Sequence, residues 1–411
     1  MTPEASAPLY DGARHEDLKE IAWNPATVES EIADIVSETE RAQRSDGGWP
    51  LHPLDAESYR IKTTKWALYS GAAGVIIGLQ ILRARGHGPV DHRARLPDIH
   101  RRYLQSPDIE PAEPGLQLGE LGILTPWILA APDDSEAAGR LETCMAAILQ
   151  HEALEITSGQ TGMMHAAMAL FEATGERRWL DWYRRGAEAL WDAWQPDSEG
   201  LGWLWRSRLF GETRRYFGAC HGLAGNVGAL LRGAAFLPPA HLPVLQARTA
   251  ATLERSARRR GDQANWFVSA PPVAGKLMVQ WCHGAAGIVT ALREMPGDRT
   301  AGPARAIDRL LRQAATLTWH AGPLAKGSGL CHGTSGNGLA FLAMYSRTGE
   351  HLWLTRARAF AMHAIRQSRS AHDRYRQRRF SLMTGDLGLA VYLSYCLNPD
   401  DIRYPGLERF S

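Results

Sequence analysis

From the amino-acid sequence we predict an all-α protein, a closed α/α toroid (barrel) of seven helical-hairpin repeats. Three features support this prediction: a recurring Gly-x-x-Gly step, a small and apolar run behind each step, and charged amphipathic segments between the steps. The intervals of 40 to 63 residues leave room for two helices each. Regular recurrence of this kind is typical of repeat proteins. The steps begin at Gly71, Gly119, Gly159, Gly222, Gly284, Gly333 and Gly385.

Each glycine step should lead the chain into an inner helix. Paired glycines permit a tight turn and a close approach of two backbones. The run AAGVIIGLQIL (72–82) shows no strand alternation and no polar face, which is typical of a helix buried on most sides. Segments such as ERRWLDWYRRGAEALWDAW (176–194) space aromatic and aliphatic residues by three and four, as outer helices do. Strand signals are sparse. An open α-solenoid is the alternative, because the sequence does not show ring closure.

The first 60 residues lack the glycine step. Residues 16–42 have helical spacing, and SDGGWPLHP (45–53) interrupts it. We therefore predict that residues 1–60 form an N-terminal helix and connection packed on the barrel, and that residues 61–411 form the barrel domain with the functional site.

The composition and charge of the chain limit the classes of partner and the cellular compartment that we expect. A net charge of +2 does not suggest nucleic acid, and two basic segments (255–262 and 366–379) are expected to be solvated faces, with local capture of an anionic or phosphorylated substrate as the alternative. No apolar run reaches the roughly 18 residues of a membrane helix, and the N-terminal residues are polar. We expect a cytoplasmic protein without a membrane partner. Its five cysteines favour thiols for metal binding or catalysis over disulfides.

Three of the seven steps carry a Cys-His pair immediately before the first glycine. Equivalent positions of a ring converge on one face, so these side chains should gather at one cavity mouth. Two thiolates and an imidazole form a soft site for which zinc is the expected metal, with a fourth position left open. The spacing alone leaves open which of the side chains bind. The pairs are Cys220-His221, Cys282-His283 and Cys331-His332, whereas Cys144 and Cys396 are expected to be core thiols.

These motifs resemble those of the lanthionine synthetase C-like family, the relatives of lanthipeptide cyclases. VQWCHGAAG (279–287) and KGSGLCHGTSGN (326–337) resemble its two zinc motifs, and GACHGLAGN (218–226) resembles its His-Gly motif. The likeness extends over about residues 60–400 and is nearer the stand-alone LanC-like branch than the dedicated antibiotic cyclases.

The resemblance implies one zinc ion (Zn²⁺) bound by Cys282, Cys331 and His332. It implies that His221 is the catalytic acid or base, and that Cys220 and His283 line the site without binding the metal. In the LanC-like branch, the lysine that matches Lys326 contacts glutathione, and an acidic residue at the position of Glu155 points into the cavity. Two departures bear on the substrate: a cysteine precedes His221 where a small residue is commoner, and Thr384 stands where the family usually has an acidic residue.

The chemistry expected from these residues is thiol addition. A thiol is mostly protonated at neutral pH, and binding to zinc converts it to the nucleophilic thiolate. Addition of a peptide cysteine or of glutathione to dehydroalanine or dehydrobutyrine gives a thioether, and His221 is the candidate to protonate the α-carbon. In reverse, the same groups perform elimination, so the partner is a dehydrated or a phosphorylated Ser/Thr peptide or protein. Lys326 and Arg374 would hold an anionic group, and Glu155 either orients His221 or is a surface carboxylate.

Three alternatives differ in the residues they require. A prenyltransferase-like α/α barrel would bind zinc through a carboxylate, a cysteine and a histidine. A glycoside hydrolase toroid would need two carboxylates across the cavity and no metal. A non-enzymatic scaffold that binds glutathione or a peptide would close its zinc site with a fourth protein ligand, supplied by His221 or His283.

Overall fold

The computed structural model describes residues 8–59, 64–209, 211–272, 277–296 and 300–410. Seven helices within these residues each begin directly after the first glycine of a Gly-x-x-Gly step, as predicted, or one residue later. They are the inner helices of a ring and are buried over most of their length. Their bounds are α3 (Ala72–Ala84), α5 (Leu121–Ala130), α7 (Gln160–Thr174), α9 (Leu223–Arg232), α11 (Ala285–Leu292), α13 (Thr334–Thr348) and α15 (Asp386–Leu397).

A second layer of helices packs around the inner ring. In α8 the apolar residues Trp179, Leu180 and Tyr183 face inward, whereas Arg184 and Arg185 lie on the partly exposed side. The amphipathic pattern thus has the packing predicted for it. The outer helices are α1 (Pro25–Arg41), α4 (Leu96–Gln105), α6 (Ser135–Leu149), α8 (Arg177–Ala193), α10 (His241–Ser256), α12 (Gly302–Ala321) and α14 (His351–Tyr375), and a short α2 (Pro53–Tyr59) follows α1.

The ring is closed. Each inner helix packs against the next, and α15 packs against α3. Backbone hydrogen bonds of 2.8 to 3.3 Å also join the seven turns into one cycle, which we call the girdle. Six turns donate the N–H of the residue two before the first glycine, and the third turn donates the N–H of Ile156. The acceptors are the carbonyl groups of Tyr69, Gln117, Thr157, Cys220, Cys282, Cys331 and Met383. An open solenoid is therefore excluded.

The second glycine of every step is required by close packing. A Cβ atom at Gly287 would overlap the carbonyl oxygen of Trp281, six residues earlier, and the second glycines of the other six steps meet the same obstacle. The turn folds back directly onto the first turn of its helix. No larger residue fits there, which explains the recurrence of the motif.

The N-terminal segment supplies a helix that the repeat pattern does not mark. Helix α1 packs on α15 through Val28, Ile32 and Ile35 and thereby occupies the seventh outer position. The predicted division near residue 60 falls beside residues 60–63, which lie outside the described residues, and it stays a prediction.

Short strands add to the helices in two connections. Between α8 and α9 lie β1 (Gln195–Pro196), β2 (Trp203–Leu204), β3 (Ser207–Leu209) and β4 (Glu212–Tyr216), and between α10 and α11 lie β5 (Arg258–Arg260), β6 (Gln263–Asn265) and β7 (Ser269–Ala270). They form antiparallel sheets in the orders β1-β2, β3-β4-β7 and β5-β6. Strands of two to five residues are too short to show a reliable alternation, so the sequence did not predict them.

Candidate metal centre and acid–base pair

The girdle brings the predicted metal ligands together. Cys282 and Cys331 occupy neighbouring positions in it, joined by the 3.2 Å hydrogen bond from the N–H of Cys282 to the carbonyl of Cys331. One donor atom each of Cys282, Cys331 and His332 lies within 4.8 Å of the others. We call this group the Cys₂His cluster. Both cysteines are buried, with 6% and 3% of their surface exposed, and the histidine is half-buried.

The surroundings of the Cys₂His cluster suit a soft divalent cation. A hydrogen bond from Cys331 lowers the pKa of Cys282 well below its usual range against the opposing effect of burial, and the same pairing together with burial raises the pKa of Cys331. The pairing therefore favours the thiolate form of Cys282 over that of Cys331. The hydroxyl of Tyr69 lies 3.5 Å from Nδ1 of His332, the kind of outer partner that a metal-bound imidazole normally has. Two sulfurs and an imidazole nitrogen in a buried pocket fit zinc.

His221 and Glu155 form a second group of interacting side chains at the turns. The Oε2 atom of Glu155 lies 2.8 Å from Nδ1 of His221, and the carboxylate also accepts the N–H groups of Thr157 (2.8 Å) and Ser158 (2.6 Å). Glu155 is completely buried. Burial alone would lower the pKa of His221, but Cys220 and Glu155 outweigh it and raise this pKa well above its usual value. Of the two readings of Glu155, the structure favours the carboxylate that orients His221.

A donor atom each of Glu155, Cys220 and His221 also lies within 4.8 Å of the others. A carboxylate, a cysteine and a histidine are the ligands that the prenyltransferase-like alternative requires. Here the carboxylate already accepts three hydrogen bonds, and the sulfur of Cys220 donates to the side-chain oxygen of Gln117 at 3.7 Å. Burial raises the pKa of Cys220, which disfavours the thiolate form that a metal ligand needs. This group is therefore a weaker metal site than the Cys₂His cluster.

Two further aromatic side chains, those of His283 and Tyr216, lie beside His221 at the mouth of the toroid. The imidazole of His283 lies 5.4 Å from that of His221 between centroids, and the ring of Tyr216, at the end of β4, lies 6.1 Å from it. His221 opens into a cleft of about 440 Å³ whose walls include Leu118, Leu209 and other residues. The β3-β4 hairpin thus forms one wall of the cleft that leads to His221.

The predicted anion-binding residues line a separate cavity. Lys326 and Arg374 are both exposed and face a space of about 470 Å³ that they share with Arg366, Arg379 and Gln367. None of the Cys₂His residues lines this cavity. The structure therefore brings Lys326 and Arg374 together, but not in one cavity with the metal ligands.

The other two cysteines and the tryptophan of VQWCHGAAG lie in the core. Cys144 and Cys396 are buried in α6 and α15, where burial raises the pKa of each thiol to about 12. Trp281 is buried and stacks on Tyr404, with 4.1 Å between the ring centroids.

Sequence reasoning missed several residues that touch the site. Tyr69 and Gln117 occupy the same girdle position as the three cysteines, so the repeat register contained the signal for them. Tyr216 and Gln280 lie outside that position, and although Gln280 falls within VQWCHGAAG, nothing in the motif indicates its contact with the sulfur. Gln280 donates to the sulfur of Cys282 at 2.8 Å.

The fold and the site together define a helical toroid that presents two thiols and an imidazole beside a carboxylate-bound histidine. The family described as lanthionine synthetase C-like protein matches residues 55–409. The chain belongs to this family, which confirms the resemblance of its motifs. The family assignment supports neither the prenyltransferase-like nor the glycoside hydrolase alternative.

Individual relatives agree with this assignment. The chain is 34% identical over 135 residues to glutathione S-transferase LANCL1 of Danio rerio, which is 33% of this chain and 32% of that protein. It is 28% identical over 206 residues to LanC-like protein GCL1 of Arabidopsis thaliana, covering 47% and 43% of the two chains. The matches thus span less than half of either curated relative. The solved structure of nisin cyclase is similar in fold, with a TM-score of 0.57 and 14% identity over 90% of this chain and 94% of that one.

No helix among the described residues is long and apolar enough to cross a membrane.

Proposed function

We propose that this protein is a zinc-dependent enzyme that adds a thiol to dehydroalanine or dehydrobutyrine and forms a thioether. The observation that carries the proposal is the Cys₂His cluster at the ring mouth, beside the His221–Glu155 pair. When bound, zinc would supply a lowered pKa for the substrate thiol. Neither His221 nor His283 belongs to the Cys₂His cluster, which supports an open fourth position rather than a closed structural site.

His221 and Glu155 have separate roles in the proposed reaction. The substrate sulfur, having lost its proton, attacks the β-carbon of the unsaturated residue, and a carbon–sulfur bond forms as the carbon–carbon double bond gives an enolate. His221 in its charged form donates a proton to the α-carbon, and the proton released by the thiol restores it. Glu155 keeps the imidazole protonated and oriented, because its carboxylate is fixed by two backbone N–H groups.

The proposed partners are a dehydrated or phosphorylated Ser/Thr peptide or protein and glutathione. The name of the Danio rerio relative supports glutathione as the thiol. We propose that Lys326 and Arg374 hold anionic groups in the 470 Å³ cavity, and that His283 contacts substrate next to His221. A cytoplasmic location remains our expectation from the sequence.

The test is zinc content and thiol addition measured on the same preparations. Wild type should contain one zinc per chain, and Cys282→Ser and Cys331→Ser should lose it while keeping the helical circular dichroism of wild type. Cys396→Ser is the matched control, because it removes a buried thiol outside the cluster and should keep the zinc. Addition of glutathione to a dehydroalanine peptide should follow zinc content.

Two results would contradict the proposal. One is a folded wild type that takes up no zinc when it is supplied. The other is a zinc-loaded wild type that adds neither glutathione nor a peptide cysteine, which would instead favour the non-enzymatic scaffold that binds glutathione or a peptide.

A further inference from the structure

The segment of residues 8–16, which we call the N-terminal strap, crosses the ring beside the Cys₂His cluster. Its backbone is bonded to the chain that leads into the second zinc motif: the N–H of Glu16 donates to the carbonyl of Pro323 at 2.8 Å, and the carbonyl of Arg14 accepts from the N–H of Ala325 at 3.0 Å. The backbone of the strap is therefore anchored at Arg14 itself and two residues beyond it.

Arg14 reaches the cluster through one buried amide. Its Nη2 atom donates to Oε1 of Gln280 at 3.0 Å, and Nε2 of Gln280 donates to the sulfur of Cys282 at 2.8 Å. Gln280 is 6% exposed, so both polar ends of its side chain need partners.

The chemistry of Arg14 fixes which end of the amide faces the sulfur. A guanidinium has five N–H donors and no acceptor, so only the oxygen of Gln280 can face it. The NH₂ group must then point at Cys282. The orientation of a glutamine amide is normally assigned from its hydrogen bonds, and here the arginine leaves a single choice.

We propose that Arg14 and Gln280 are positioning residues of the metal centre, which makes the N-terminal strap part of the site. An N–H group aimed at a sulfur stabilises the thiolate and fixes the direction of its lone pairs, as outer partners do for other metal ligands. Arg14 acts only through Gln280, by preventing the amide from turning its oxygen toward the sulfur. The inference rests on the proposed role of Cys282 as a zinc ligand.

The rival role for Arg14 is direct binding of an anionic part of the substrate. Measuring zinc affinity without any thiol or peptide present separates the two roles, because a substrate-binding arginine leaves the affinity for zinc unchanged.

The experiment compares zinc affinity, by competition with a chelator, in wild type, Arg14→Ala, Gln280→Met and the double variant. Methionine keeps the volume of the glutamine side chain but has no N–H donor. Each single variant should bind zinc roughly 10-fold or more weakly, the loss typical of an outer partner. The double variant should be no weaker than Gln280→Met, because Arg14 acts through Gln280. Tyr10→Phe, which removes the strap hydrogen bond from Tyr10 to the carbonyl of His320, is the control and should match wild type.

A second readout is the sulfur-to-metal absorption of the cobalt-substituted protein, which should shift in Arg14→Ala and in Gln280→Met but not in Tyr10→Phe. Wild-type zinc affinity and an unshifted spectrum in Arg14→Ala, whose side chain lies on the strap outside the core, would overturn the inference. Failure of this inference can be told apart from failure of the proposed function. If the proposed function is wrong, wild type itself binds no zinc, and the inference falls with it.

Discussion

The side-chain carboxylate of Glu155 is held in one orientation by its hydrogen bonds. Both of its oxygens are held by backbone N–H groups of its own turn, and one of them also faces His221. The orientation of His221 is thus set by the same turn that leads into α7. The sequence indicated an acidic side chain here only through the family resemblance, because a single glutamate between helices has no distinguishing pattern.

Replacing the carboxylate should change the pH dependence of catalysis. Glu155 raises the pKa of His221, so Glu155→Gln should lower this pKa, and the acid form of His221 should be lost at a lower pH than in wild type. The alkaline limb of the pH–rate profile for thiol addition should therefore move to lower pH. The control is Glu152→Gln, an exposed carboxylate that lines the cleft into which His221 opens and that pairs with Arg208. An unmoved alkaline limb in Glu155→Gln would show that His221 does not set it.

Cys220 differs from the other two girdle cysteines in its partners. It donates to a neutral amide oxygen and burial raises its pKa, whereas the hydrogen bond from Cys331 lowers the pKa of Cys282. Cys220→Ala should therefore keep the full zinc content, in contrast to Cys282→Ala. Elemental analysis of both variants checks this, and zinc loss from Cys220→Ala would place the third thiol in the metal site.

The Cys-His pairs were predictable at this scale because each repeats at one register of the glycine step. Gln280 and Arg14 were not, because their contacts depend on how the N-terminal strap crosses the ring. That path is set by long-range packing and leaves no local pattern.

Among the structural elements, the glycine turns are the least tolerant of a larger residue. Gly287→Ala should destabilise the protein by about 3 kcal/mol or more, because the added Cβ overlaps the backbone carbonyl of Trp281. Gly139→Ala is the matched control: this exposed glycine lies within α6 with open space around it, and alanine there should stabilise by about 0.5–1 kcal/mol. Urea unfolding of both variants measures the two effects, and a neutral Gly287→Ala would contradict the packing argument.

The sequence located the inner helices more precisely than it located the strands. The inner helices begin at glycine pairs, which mark their N-termini to within a residue. The strands follow from tertiary pairing of very short segments, and the β3-β4 hairpin places Tyr216 at the mouth without any signal that local periodicity would reveal.

At the scale of the whole molecule, ring completion depends on the N-terminal helix. Helix α1 takes the seventh outer position on α15, so the first outer helix of the chain covers its last inner helix. The glycine pattern marks inner helices only, and a prediction built on it leaves the partner of α15 unassigned.

Ile32→Ala should therefore destabilise the entire ring. The side chain is fully buried between α1 and the barrel, and such a truncation costs about 2–5 kcal/mol. Asp34→Ala, on the exposed face of α1, should change stability by less than about 0.5 kcal/mol. Chemical unfolding followed by both helical signal and zinc release measures the effect. The two signals should fall together in Ile32→Ala, and separate transitions would show that α1 is dispensable for the ring.

The common direction of the inner helices has an electrostatic consequence. All seven begin at the girdle, so the partial positive charges of seven helix dipoles converge on one end of the ring. The sulfurs of Cys282 and Cys331 lie within three residues of two of these N-termini. A thiolate, or an enolate formed beside it, thus sits in a field that favours negative charge even before any side chain contributes to it.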